Sequence, residues 1–147
     1  MENEDLKPRT QRFAIRIINL ATQLTQTNAG YIISGQIMRS ATSVGANYRA
    51  ARRAKSSRDF INKLKIVEEE TDETIYWLEV IEETKLVEPE KMKALKTEAN
   101  ELLSIFVTSI KTAKKRTKYE ERSTKNEVRR TKYEERSTNN KKRIAKS

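Results

Sequence analysis

The chain has 147 residues, enough for one domain with length to spare, and contains neither cysteine nor histidine. That composition excludes disulfides, thiolate metal sites and a cysteine nucleophile, and removes the commonest general base and transition-metal ligand. The net charge of +10 is unevenly placed: residues 1–110 carry 16 Lys/Arg against 16 Asp/Glu, whereas residues 111–147 carry 15 against 5.

A tail of that charge invites a polyanion, RNA or DNA first, although a solvated extension that aids solubility fits the same composition. No apolar run approaches the roughly 18 residues needed to cross a bilayer, so no membrane role is expected. The polar N-terminus, Met1 to Thr10, does not read as a signal peptide, and a cytoplasmic location is expected. With only three glycines and two prolines, long helices are favoured over a turn-rich β fold.

The first helix is predicted over residues 9–25, after a flexible segment at 1–8, because Phe13, Ile17, Leu20 and Leu24 recur on one face. Gly30 then reads as a left-handed helix stop. A second helix is predicted over 31–53, with a core face of Ile33, Ile37, Ala41, Val44, Tyr48 and Ala51. Its middle is small, and Gly45 costs about 1 kcal/mol relative to Ala, which points to close approach by a neighbouring backbone.

The third helix, over 57–85, opens on Ser56 and Asp59, an approximate capping box. Phe60, Leu64, Val67, Thr71, Ile75 and Leu78 form its main stripe. A second line, Ile66, Glu70, Glu73, Trp77 and Val80, widens the inward arc to roughly 220°, against about 100° for an ordinary surface helix. The extra line is expected to face another subunit, with Ile66, Trp77 and Val80 at the interface. The fourth helix starts at Pro89 and carries Met92, Leu95, Ala99, Leu102, Leu103, Phe106 and Ile110 on its apolar face. Short connections predict antiparallel neighbours, hence an all-α, up-and-down antiparallel four-helix bundle over 9–115.

After Ile110 the apolar spacing stops. Arg116–Thr124 (RTKYEERST) returns intact at Arg130–Thr138, a direct repeat of 14 residues. No apolar seam accompanies it, so residues 116–147 are expected to be a disordered, basic, low-complexity tail.

Three segments carry a resemblance: Arg39 to Asn47 (RSATSVGAN), Asp59 to Leu64 (DFINKL) and Glu73 to Glu79 (ETIYWLE). Together with Phe13 to Ile17 they resemble the four helix bundle proteins encoded in intervening sequences of bacterial 23S rRNA genes, over roughly residues 8–115. The resemblance implies a four-helix bundle without established enzymatic activity, a homo-oligomer, and a pentamer in particular. A more distant similarity to retroelement accessory variability proteins suggests RNA or DNA contact. The repeated tail departs from the family's short C-terminus.

Arg39, Arg49, Arg52, Arg53, Lys55 and Arg58 are the candidate phosphate-binding residues. Residues 66–90, with ten acids against Lys85, offer an internal or intersubunit counter-charge instead. Ser40, Ser43, Asn47 and Glu73 fit either a binding pocket or a buried polar network that fixes helix register; the network is preferred, with Asn47 and Glu73 expected in contact. Tyr76 and Trp77 could stack on bases, but their spacing favours packing, and Tyr119 and Tyr133 lie among cations in the tail.

The carboxylates from Glu68 to Glu73 point around a helix rather than to one centre, and no phosphate-binding or nucleophile motif is present. No enzyme activity, metal or cofactor is therefore expected. Three readings of the role stand: an oligomeric bundle that binds RNA or DNA, an oligomeric scaffold that recruits a protein partner, and, against the geometry just given, a carboxylate-metal enzyme acting on nucleic acid.

Overall fold

The computed structural model describes residues 5–147. These form α1 (Leu6–Ala21), a 3₁₀ turn (Thr22–Leu24), α2 (Asn28–Arg52), α3 (Ser57–Glu83) and α4 (Pro89–Ala145), with no strand among the described residues.

Helix α1 starts earlier than expected because Asp5 caps it, accepting from the Lys7 N–H at 3.0 Å. Pro8 falls in the first turn, where a missing N–H goes unmissed. Of the flexible segment expected at 1–8, residues 1–4 lie outside the described residues, and 6–8 are helical. Phe13, Ile17, Leu20 and Leu24 are buried as their spacing predicts.

Gly30 is not a left-handed stop, and no glycine has a positive φ. It sits in the first turn of α2, where its N–H donates to the Thr27 cap at 3.0 Å. A Cβ there would stand 1.9 Å from the Leu24 carbonyl oxygen, so glycine is needed for space rather than for backbone freedom. Among the described residues the left-handed one is Lys85, with φ 57°, where the Leu86 N–H reaches back to the Ile81 carbonyl at 3.2 Å and ends α3.

Gly45 is closely approached, but its nearest neighbour is a side chain rather than the backbone that was expected. A Cβ on it would lie 3.3 Å from Thr10 Oγ1 and 3.7 Å from the Thr10 carbonyl carbon, and Thr10 itself is buried. Helix α3 begins on the predicted cap, with Ser56 Oγ accepting from the Asp59 N–H at 3.1 Å. Ile61 is buried where Phe60 was expected, leaving Phe60 half-buried, and Thr74 and Ile81 join the buried face.

Successive helices run antiparallel. Arg49 of α2 reaches Gln11 near the start of α1, and Ser40 in mid-α2 meets Thr74 in α3. Lys96 of α4 pairs with Glu82 near the end of α3, and Arg9 of α1 pairs with Glu98 and Glu101 of α4. Phe13, Ile17, Ile37, Leu64, Leu78 and Phe106 are almost wholly buried in one core drawn from all four helices.

The tail corrects the sequence reading: residues 116–145 are helical, not disordered. Charge and low apolar content argue against a packed core, but not against a helix. No glycine or proline follows Pro89, and Lys, Arg and Glu are good helix formers. A chain that lengthens an existing helix avoids the cost of nucleation. Arg130 and Glu134 form an i,i+4 pair at 3.5 Å, and Thr117, Thr124, Thr131 and Thr138 each donate to the carbonyl four residues back. The chain divides into a compact unit that ends at Lys111 and a second, Thr112–Ser147.

Candidate nucleic-acid interface

The six candidate phosphate-binding residues separate into two groups. Arg49 and Arg52 occupy the last turn of α2, Arg53 is its C-cap, and Lys55 and Arg58 flank the Ser56 cap of α3. Cations in the last turn face the negative end of the α2 dipole, a sufficient local reason for their presence. Arg49 donates to Gln11 Oε1 at 3.1 Å, and Arg52 Nη1 to Tyr48 Oη at 3.4 Å, a bond that raises the Arg52 pKa. Arg52, Arg53, Lys55 and Arg58 are exposed. Lys55 also donates its backbone N–H to Asp59 Oδ2 at 3.1 Å; this bond, and then Lys63 at 2.9 Å, hold the Asp59 carboxyl below its ordinary range.

Arg39 stands apart, ten residues up the helix. It donates to Glu73 Oε2 at 2.5 Å, and its Nη1 lies 3.8 Å from Glu70 Oε1. This is the internal counter-charge reading, realised between α2 and α3. Burial raises the Glu70 pKa against the pull of Arg39, and the neighbouring Glu73 raises it further.

The polar residues on the apolar faces form local bonds rather than a pocket. Ser40 Oγ donates to the Ile37 carbonyl at 3.2 Å, Ser43 Oγ to the Arg39 carbonyl at 2.8 Å, and Asn47 Nδ2 to the Ser43 carbonyl at 2.8 Å. Asn47 and Glu73 thus have separate partners. The buried bond between helices joins Thr74 Oγ1 to Ser40 Oγ at 2.9 Å. Thr74 is the member that sequence reasoning missed. Its only signal is its place one residue before Ile75 on a face otherwise read from the large apolar residues.

A cleft of about 580 Å³ runs between α1 and α2, floored by Ala14, Gly45 and Ala46 and flanked by Ile15, Arg49 and Arg53. It joins the end of the basic cluster to a surface of small residues. On α3, Ile66 remains 41% exposed while Glu70, Glu73, Trp77 and Val80 are half-buried, so the second line is left incompletely covered. Two buried polar atoms on it, Glu70 Oε2 and Trp77 Nε1, lack hydrogen-bond partners. Tyr76 packs edge-on against Trp77 with ring centroids 4.9 Å apart.

Among the described residues no cluster of three or more acidic, histidine or cysteine side chains converges to hold a metal. No helix among them is long and apolar enough to cross a membrane.

The family model of the 23S rRNA-intervening sequence protein matches residues 2–108. The crystal structure of a protein of unknown function from the S23 ribosomal protein family of Bacteroides thetaiotaomicron is similar, with a TM-score of 0.68 and 39% identity, over 71% of this chain and 97% of that one. No functionally curated protein matches.

Proposed function

The chain belongs to the family of 23S rRNA-intervening sequence proteins, and from that premise we propose that it is a non-enzymatic, homo-oligomeric, up-and-down antiparallel four-helix bundle that binds RNA or DNA through phosphate contacts. The observation that carries this reading is the partition of charge. The first 110 residues are neutral, whereas residues 111–147 hold the whole excess of +10 on a helix whose Lys and Arg side chains are exposed. Solvated cations arrayed on a fixed backbone release counterions from a polyanion, and this supplies affinity without sequence specificity. Arg53, Lys55 and Arg58 at the α2–α3 turn provide a second set of contacts. Arg39 belongs instead with Glu70 and Glu73.

The test measures RNA and DNA binding at several salt concentrations, for the full chain and for a version ending at Lys115, which retains the whole region matched by the family model. The full chain is expected to bind with an affinity that falls steeply with salt, and the shortened chain more weakly with a shallower slope. Equal slopes would move the site to the α2–α3 turn. Absence of binding by either would leave the second reading, an oligomeric scaffold for a protein partner. The half-covered α3 line with its two unpartnered polar atoms supports that alternative.

A further inference from the structure

The second unit has an order that its composition hides. Lys118, Arg122, Lys125, Arg129, Lys132 and Arg136 follow one another at alternating spacings of four and three residues, and all six are exposed. At about 100° per residue these positions fall within an arc of about 80° along roughly 27 Å of α4. Glu120, Glu127 and Glu134, seven residues apart, take the opposite side. The helix therefore has a continuous cationic face, edged by Glu121, and a back on which Glu120, Glu127 and Glu134 are mixed with Arg116, Arg130 and Lys141; the 14-residue repeat carries Lys118, Glu120 and Arg122 onto Lys132, Glu134 and Arg136 of the same faces.

We infer that this face is a docking surface for double-stranded DNA, with the helix lying in the major groove, its cations toward the phosphates and its glutamates toward solvent. The inference rests on the nucleic-acid reading above and names its substrate class.

Width decides between the two duplexes. An α-helix with its side chains is about 10–12 Å across, and the B-form major groove is about 12 Å wide. The major groove of A-form RNA is too narrow and deep for side chains to read. A single strand is a poorer fit, because the stacking residues Tyr119 and Tyr133 are separated by roughly 21 Å along the helix, too far for successive bases. A lipid surface is disfavoured because the face opposite the cations carries glutamates and threonines rather than an apolar strip.

The experiment compares the full chain with a charge-exchange variant, Lys118→Glu, Glu120→Lys, Lys125→Glu, Glu127→Lys, Lys132→Glu and Glu134→Lys. Composition and net charge are unchanged, but three cations move to the back of the helix. The probes are a duplex DNA of about 20 base pairs, a duplex RNA and a single-stranded DNA of equal length. The exchange is expected to weaken duplex-DNA binding by roughly tenfold or more near 0.15 M salt and to flatten its salt slope.

A second comparison covers any loss of helix, which circular dichroism would reveal. Lys118→Gln, Lys125→Gln and Lys132→Gln on the face should cost more affinity than Arg116→Gln, Arg130→Gln and Lys141→Gln off it. Equal losses, or an exchange variant that binds as well as the parent, overturn the ordered face while leaving nucleic-acid binding in place. Tighter binding of duplex RNA or of the single strand overturns the choice of DNA. No binding of any probe by the parent overturns both readings.

Discussion

Two glycines five residues apart in α2 behave oppositely because their surroundings differ. At Gly30 an added Cβ meets the Leu24 carbonyl oxygen at 1.9 Å, and a backbone atom cannot swing aside as a side-chain tip would. At Gly35 nothing lies within 4 Å. Gly30→Ala is expected to lower stability by about 2 kcal/mol or more, through the shift it forces at the α1–α2 turn. Gly35→Ala should raise stability by up to about 1 kcal/mol, since an exposed helical glycine carries only its entropic cost. Urea unfolding midpoints of the two variants and the parent measure both. A stabilised Gly30→Ala variant would contradict the described turn. Gly45 could be read as a close contact because small neighbours surround it, whereas the need at Gly30 depends on a carbonyl six residues away that only the folded turn brings near.

At the scale of elements, the helices were legible wherever apolar spacing marked them. Phe13, Ile17, Leu20 and Leu24, and Met92, Leu95, Ala99, Leu102, Phe106 and Ile110, are buried at the expected positions, with Leu103 half-buried at the edge, because one face against one core leaves a period of 3.6 residues. The tail was not legible by the same signal, since a helix without a core leaves no apolar period to read. Its helicity rests instead on propensity, i,i+4 pairing and continuity with α4. The candidate site was legible only in part: Arg53, Lys55 and Arg58 are exposed as a binding role requires, but the partners of Arg39 and Ser40 depend on how α2 lies against α3, and Asn47 turns back to the Ser43 carbonyl of its own helix. A helix held mainly by propagation should be cut cleanly. Thr124→Pro removes a backbone donor and clashes with the preceding turn, at about 3 kcal/mol in a helix interior. Circular dichroism should show a loss of ellipticity at 222 nm from the tail, while the thermal midpoint of the first unit stays near that of the parent. An unchanged spectrum would count against a continuous helix, and a large fall in the midpoint would mean that the core depends on the tail.

For the whole molecule, the charge partition and the uncovered line on α3 ask for different partners. The cations of the tail require a polyanion. The α3 line requires a surface that is apolar at Ile66, Trp77 and Val80 and carries a donor and an acceptor for Glu70 Oε2 and Trp77 Nε1. Each such atom left unsatisfied costs about 1–3 kcal/mol, so a covering surface that bonds both recovers energy which burial of apolar area alone would not. A second copy of the chain is the occupant under the oligomeric reading proposed above. Ile66→Lys with Val80→Lys places two cations on that line without touching the most deeply buried residues. The double variant is expected to keep its helical spectrum and most of its stability but to fall to monomer mass by light scattering at micromolar concentration, where the parent is larger. Retention of the parent's mass would put the interface elsewhere on the molecule. A parent that is itself monomeric would end the oligomeric reading, and the unpartnered Trp77 N–H would then have to be met by water or by a different protein.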